Sequence, residues 1–498
     1  MEVILAGYNI DTELMPSLAE GQRDGRTLPQ LTPETIAAAY ARISRSEKRV
    51  DELRQETTVQ VEAARKSNSR IVFDMGHSSI AEHAVFNIDV IGVSRLLVED
   101  IQHFRLCSFT EKSQRYVTLN GDFVVPQEIL GSPWESEFRD IVAAQNDFYF
   151  AAIKILIPQM LAKHSAIAAT PAGRTSLEIN AKEDARYVLS LATQSQMGMT
   201  INARNLALMV RRLGALPMTE AQQFSAKLLE VAQGVAPSLI RYTAVTEYDK
   251  ETRNSLAEAF GAADVATSSP RKRLVNLLLD PRNAPTDDDL LATLLFSSSC
   301  MTMEACRREV ASMSALRKKR LFATAFAKMN PFDAPLREFE ALPLTFEVIV
   351  SATCFAQIKR HRMASIHCQP YDTSLGVTVP PSIREAGLEK QFIAVIKRTE
   401  NFYQRLREQH RTVASYILTN AHRRRLLLAL NARELYHLSR LRMDEHAQWD
   451  IRFITTEMIK QARRFLPLTL MMAGGKDGFA AMREKLPPAY EHDLTRQR

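Results

Sequence analysis

Cysteine is scarce in this 498-residue chain: Cys107, Cys300, Cys306, Cys354 and Cys368 are all there is, and no two stand as Cys-x-x-Cys. An odd, unpaired set excludes a disulfide framework and a structural zinc site, and leaves reduced, mostly buried thiols. Long apolar runs are missing as well. No stretch approaches the roughly 18 apolar residues that a membrane-spanning helix needs, and the N-terminus has no basic region leading into an apolar one. A cytoplasmic protein is the expectation. Strong charge imbalance is also absent: 64 Lys and Arg against 57 Asp and Glu leave a formal net charge of +7, a modest lean toward anionic partners for which nucleotides and nucleic acid are both eligible.

Metal and nucleic-acid signals are weak. His77-Ser-Ser-Ile-Ala-Glu-His83 holds possible ligands, but its spacing is not that of a zinc-protease helix and no third ligand group accompanies it, so no metal is expected. The basic runs Arg317-Lys-Lys-Arg320 and His422-Arg-Arg-Arg425 read as helical and lack interleaved aromatics on which bases could stack, which argues against nucleic acid.

What is there is a length beyond one hydrophobic core and an order of elements that occurs twice. Met1–Ala6 and Lys272–Leu279 each read as an opening strand, and between them Phe260–Pro270 is small, polar and closed by proline. The expected organisation is a first module over 1–262, a linker over 263–271 and a second module over 272–498. Phe86-Asn-Ile-Asp-Val90 and Leu344-Thr-Phe-Glu-Val348 both alternate apolar with polar, as half-buried strands do. Each runs through a Val-Ser step into a helix expected to end at an Arg-x-x-Ser element, Arg105 to Ser108 or Arg362 to Ser365. Later, Asn202-Ala-Arg204 and Asn431-Ala-Arg433 each open an amphipathic helix. The halves therefore read as a divergent internal duplication, with too few copies for a solenoid.

The chemistry concentrates in Gln357-Ile-Lys-Arg-His-Arg-Met-Ala-Ser365. Arg360, His361 and Arg362 place two guanidinium groups and an imidazole side by side, a seat for a phosphorylated or otherwise anionic ligand. The plain alternative is a solvated helix end whose cations favour the C-terminal dipole. A damaged copy at 102–108 keeps Arg105 and Ser108 but reads His103-Phe104 where the other has Arg-His.

These residues resemble the flavin-dependent thymidylate synthases, the ThyX family. The resemblance rests on Gly76-His-Ser-Ser-Ile-Ala-Glu-His83, Glu111-Lys-Ser-Gln-Arg-Tyr116 and Asn202-Ala-Arg204 in the first half. In the second it rests on Arg360-His-Arg362, Asn431-Ala-Arg433 and Ala447-Gln-Trp-Asp-Ile-Arg452. It spans nearly the whole chain, once per half, and implies an α+β fold of two tandem ThyX-like modules, each a small, mainly antiparallel sheet packed with helices. The activity it implies is reductive methylation of dUMP to dTMP with methylenetetrahydrofolate and reduced FAD, NADPH reducing the flavin. Family members are homotetramers of chains half this length, so a homodimer of two-module chains, a pseudo-tetramer, is implied.

Carried onto this sequence, the resemblance assigns Gln357, Arg360 and Arg442 to the uracil side of the nucleotide, Arg442 as the catalytic residue that stabilises charge on the ring. Arg115 and Arg186 would hold the phosphate, with Glu111, Ser113 and Gln114 completing the substrate set. Arg360, His361, Arg362, Asn431, Arg433 and His437 would seat FAD, with Ser79 as a further cofactor candidate. The losses are complementary. Cys368, Pro370, Asp372 and Ser415 stand where the second half should carry the phosphate set, and Asp100, His103 and Phe104 stand where the first should carry the Gln, Arg and His. One composite site formed between unlike halves is the expectation. The other reading is a FAD- or nucleotide-binding pseudoenzyme of the same architecture without turnover.

Overall fold

The computed structural model describes residues 1–15, 31–260, 273–280 and 282–489; the linker expected at 263–271 lies outside them. Two four-stranded sheets are present, both antiparallel throughout. β1 (Glu2–Tyr8), β2 (Val85–Ser94), β3 (Ser108–Glu111) and β4 (Gln194–Asn202) lie in the order β1-β2-β4-β3. β5 (Val275–Leu278), β6 (Pro343–Ser351), β7 (Ser365–Tyr371) and β8 (Arg423–Asn431) lie in the order β5-β6-β8-β7. The α+β class, with one antiparallel sheet per module, is what the sequence implied. Alternation builds both sheets: Phe86, Ile88 and Val90 on β2, and Leu344, Phe346 and Val348 on β6, are buried on one face and packed against helices. No helix among the described residues is long and apolar enough to cross a membrane.

The pairing registers make the two modules comparable residue by residue. Val85 faces Asn202 and Ser94 faces Gln194, as Pro343 faces Asn431 and Ser351 faces Arg423. β2 has 10 residues and β6 has 9, and the extra residue sits in a β-bulge between Ile91 and Val93. Gly92 takes φ 72 there, a left-handed conformation that glycine adopts without a Cβ clash. Glu111 faces Met197 and Cys368 faces Leu426, so these two residues hold the same place in their sheets.

At the end of β2 and of β6 one serine turns strand into helix. Ser94 Oγ accepts from Leu97 N at 3.0 Å and Ser351 Oγ from Cys354 N at 3.0 Å, N-capping the helices Arg95–Ile101 and Ala352–Ile358. Each hydroxyl also donates to a buried carboxylate: Ser94 to Glu220 at 2.6 Å, Ser351 to Asp450 at 2.6 Å. Both acids are the second residue of a helix, Thr219–Gln233 and Trp449–Arg463 respectively. The helices are shorter than the sequence suggested. They stop at Ile101 and Ile358, and Arg105 and Arg362 fall in turns, because Ser108 and Ser365 must already pair with β4 and β8.

One expectation is corrected. His422–Arg425 is not helical: Arg423, Arg424 and Arg425 begin β8. Strand geometry separates their side chains onto two faces, so Arg424 lies over the Tyr371 ring at 4.6 Å while Arg425 pairs with Glu347 at 3.0 Å.

Packing divides the described residues into two units that do not follow chain order. Val379–Asn420 belongs with the residues up to 260; the rest of the second half forms the other unit. Within the first unit this segment is tied by backbone bonds, Leu191 N to Leu418 O at 2.7 Å and Asn420 N to Leu189 O at 2.9 Å. Side chains add to them. Gln145 Nε2, on the helix Pro133–Lys163, donates to Thr399 Oγ1 at 2.9 Å on the helix Glu389–Gln409, and the Tyr416 hydroxyl donates to Glu220 at 2.6 Å. Glu220 thus gathers the Ser94 N–H, the Ser94 hydroxyl and Tyr416 at one buried point. Tyr416→Phe removes one bond of that point and should cost about 1–2 kcal/mol. Urea unfolding checks this: the midpoint should fall in the transition of the first unit, and an unchanged midpoint would mean the bond contributes nothing.

Candidate active site

In the second unit the helix Ala432–Arg442 is capped by Asn431, whose Oδ1 accepts from Glu434 N at 2.9 Å. The cap fixes the rotation of the helix and sends Glu434 inward. Glu434 Oε1 lies 3.3 Å from His361 Nδ1, and Arg442 Nε donates to His361 Nε2 at 3.0 Å. A guanidinium N–H can only donate, so Nε2 must be the acceptor and the imidazole proton sits on Nδ1, directed at Glu434. Arg442 Nη2 reaches the Gln357 carbonyl at 3.4 Å, and Gln357 Nε2 donates to Gln448 Oε1 at 3.2 Å. Gln357, Arg442, His361 and Glu434 are therefore one hydrogen-bonded chain. The Gln357 Oε1 atom is buried and has no hydrogen-bond partner among the described residues.

Electrostatics agree with this proton placement. Burial, reinforced by the charges of Arg442 and His437, pushes His361 well below its ordinary value, so the ring is neutral. Burial pushes Glu434 up, against the pull of His437. Burial, with Asp450 adding, pushes the Cys354 thiol well up, which keeps it protonated and unreactive. His361, Glu434 and His437 bring their ligand atoms within 4.8 Å of one another, a spacing that could admit a metal ion. Neither His361 nitrogen has a lone pair to spare in this arrangement, and the Arg442 cation adjoins the ring. Both facts oppose metal binding.

Beside this chain opens a cavity of about 490 Å³ whose wall includes Phe332, Pro335, Met363, Asn431, Arg433 and His437. Glu434 is also on that wall. The lining joins exposed apolar surface, with Phe332 89% and Met363 67% accessible, to the cations Arg433, Arg440 and Lys476. A flat heteroaromatic ring carrying an anionic tail fits such a wall, so the donor set suits a flavin nucleotide. Arg433 is held in place by Glu340 at 2.7 Å and the Pro335 carbonyl at 2.9 Å. Of the expected cofactor residues, Asn431, Arg433 and His437 line the cavity, His361 lies behind Glu434, and Arg360 and Arg362 are exposed in the turn that follows the helix Ala352–Ile358.

The first unit assembles the other set. Arg186 is buried and donates to the Glu183 carbonyl at 3.3 Å; Arg115 pairs with the Glu183 carboxylate at 3.0 Å. Burial lowers the Arg186 value, Glu183 opposes, and the charges of Arg115 and Arg95 lower it further. Two further guanidinium groups thus act on Arg186, a concentration of positive charge that suits an anion. Arg95 is the member that sequence reading missed. It is buried against Glu111 at 3.4 Å, and its only signal was the position after the N-capping Ser94. Glu111 also accepts from Gln102 at 3.2 Å and Ser195 at 3.3 Å, so both its oxygens have internal donors. Ser113 Oγ accepts from Arg115 N at 3.1 Å. Gln114 is buried, its Oε1 accepting from Asn420 Nδ2 at 3.2 Å, and Asn420 also donates to the Arg186 carbonyl at 3.0 Å.

Ser79 is exposed in the 3₁₀ turn Ser78–His83 that leads into β2. Counting back from β2 and β6 in register sets Ser79 against Arg337 and Glu82 against Glu340. Arg204 pairs with Glu82 as Arg433 pairs with Glu340, so Glu340 is a second residue that sequence reading missed. Counting from the caps Asn202 and Asn431, Leu213 stands where the other module has Arg442; the altered spacing after Arg211 had hidden that match.

Comparison with known proteins agrees with the tandem reading. The family model described as "Thymidylate synthase complementing protein" (Thy1) matches residues 27–238 and again 295–468. A full-length relative is UPF0159 protein Ta1429 of Thermoplasma acidophilum, 24% identical over 439 residues, 80% of this chain and 86% of that one. A flavin-dependent thymidylate synthase of Geobacter sulfurreducens is 28% identical over 215 residues, 42% of this chain and 81% of its own. Among solved structures, a flavin-dependent thymidylate synthase ThyX from Helicobacter pylori, complexed with FAD and dUMP, is similar at 17% identity. It covers 49% of this chain and 100% of its own, with a TM-score of 0.30.

Neutral His361 makes stability pH-dependent in a defined direction. Its folded value lies below the ordinary 6.5, so its contribution is complete above about pH 6.5 and is lost as pH falls through the folded value. The stability gap between wild type and His361→Gln should be flat above that pH and narrow on acidification. A gap that stays constant between about pH 8 and pH 5 in urea titrations would show that the ring ionises freely.

Proposed function

The chain belongs to the thymidylate synthase complementing protein family, and from that premise we propose that it is a flavin-dependent thymidylate synthase converting dUMP to dTMP. Methylenetetrahydrofolate would be the one-carbon donor and NADPH the reductant. The observation that carries the reading is the division of the family's residues. The first unit keeps a buried arginine cluster suited to a phosphate, and the second keeps the Gln357-Arg442-His361-Glu434 chain beside a flavin-sized cavity. Relatives named as flavin-dependent thymidylate synthases support the activity.

In this reading Arg115 and Arg186 bind the phosphate of dUMP. Asn420 holds Gln114 and the Arg186 backbone in position, while Glu111 keeps Arg95 in place and Ser113 steadies the Arg115 backbone. Arg442, with Gln357 and Arg360 near the uracil ring, stabilises negative charge that develops there, an electrostatic role fixed before the reaction starts. FAD would be held by Asn431, Arg433 and His437 with Arg360, His361, Arg362 and Ser79, as the resemblance implies, and would supply the hydride when bound. Each half carries a different residue set, so each chain supplies one complete complement of site residues, and the resemblance implies a homodimer as the working form.

The purified protein should be yellow, and nucleotide titration should find one dUMP per chain. Arg115→Ala should weaken dUMP binding by about 1.5–3 kcal/mol, the scale of a lost charged hydrogen bond. Arg442→Ala should act mainly on turnover. Asp372→Ala, at the place in the second module that corresponds to Arg115, should leave activity nearly unchanged. Bound FAD and dUMP with no dTMP formed would identify a binding protein, and two equivalent dUMP sites per chain would refute the division of labour.

A further inference from the structure

We propose that Glu434 is a positioning residue that sets the tautomer of His361 and, through it, the direction of the Arg442 guanidinium. The inference begins from the proton inventory of three groups. Arg442 Nε brings a hydrogen to His361 Nε2 at 3.0 Å, and Glu434 Oε1 stands 3.3 Å from Nδ1. An imidazole carrying its proton on Nε2 would turn that N–H against the Arg442 N–H and break the contact. Arg442 needs the Nδ1–H form, and an acceptor at Nδ1 is what holds that proton there; Glu434 is that acceptor. His361 and Glu434 are 3% and 7% accessible, so water does not compete freely for either bond. With Nε2 engaged, the Arg442 fork is held between the imidazole and the Gln357 carbonyl.

The first module shows what the arrangement looks like when it is not used. At the places of His361, Glu434, His437 and Arg442 stand Phe104, Asn205, Leu208 and Leu213. All four members are replaced, three of them by apolar residues. The cap itself survives, Asn202 Oδ1 accepting from Asn205 N at 3.0 Å, so the helix did not need the lost groups to fold. Retention together in one module and loss together in the other is what a working unit produces, since a buried arginine or glutamate without its partners is costly. Glu434 also lines the cavity, so it links that wall to Arg442 through a single ring.

The test reads the imidazole directly, using ¹⁵N NMR of the full chain. Wild-type His361 should show the neutral Nδ1–H signature at neutral pH. Glu434→Gln, whose Oε1 can accept the same proton, should retain it, and Glu434→Ala should lose it to the Nε2–H form. This arm does not depend on the proposed reaction. The second arm rests on that reading: Glu434→Ala should lower kcat by about tenfold with little change in KM for dUMP, and Glu434→Gln should restore most of it. An imidazolium or Nε2–H signature in wild type, or an unchanged Nδ1–H signature in Glu434→Ala, would overturn the proposal. Should Glu434→Ala fail to fold, the wild-type and Glu434→Gln spectra still decide. A protein with the expected spectra but no dTMP formation would sink the proposed reaction and leave the positioning role standing.

Discussion

A serine hydroxyl shared between a helix cap and a buried carboxylate is the constraint on which both modules depend. The chain must leave the second strand of each sheet and start a helix without an unpaired residue between, and Ser94 and Ser351 do so by accepting from the helix and donating to Glu220 and Asp450. The acids sit on a helix that packs from elsewhere, so one bond sets the strand end, the helix start and the position of that second helix. The seven-residue helix that follows delivers Gln357 to its last turn and His361 to the turn beyond. In the first module the same device delivers Asp100 and Phe104. The scaffold is shared while the residues it delivers differ.

Charge explains why the two sets remain separate. In the first unit the charges of Arg115 and Arg95 act on the buried Arg186, while Glu183 pairs with Arg115 and Glu111 with Arg95. The second unit instead neutralises its buried groups by hydrogen bonding, with a neutral His361 between a cation and an acid. Aspartate at position 372 and Cys368 in place of Glu111 leave the second module without the means to gather such an arginine cluster. Leu213 and Phe104 leave the first without the means to orient an Arg442.

Packing adds a constraint of a different kind. The segment Val379–Asn420, from the second half of the sequence, lies in the first unit, where Asn420 supports Gln114 and Arg186 and Tyr416 completes the bonds of Glu220. Residues from both halves thus already cooperate within one unit, beneath the arginine cluster. A change in either half can therefore be felt at Gln114 and Arg186 through a hydrogen bond.

The sequence by itself determined the two sheets, through the alternation in Phe86–Val90 and Leu344–Val348. It also determined the paired helix starts at Asn202 and Asn431, because these depend on side-chain period and on residue type at short spacing. It misread His422–Arg425, whose charges hide a strand that only β6 and β7 reveal, and it ran two helices too long because cross-strand pairing ends them. Arg95 carried no signal beyond its place after Ser94, and nothing local pointed to the partners of Glu340 and Glu434. Their roles come from partners 16, 93 and 73 residues away, Glu111, Arg433 and His361. Only the tertiary structure could decide those, since a hydrogen bond between distant residues depends on where the fold carries them and leaves no period in the chain.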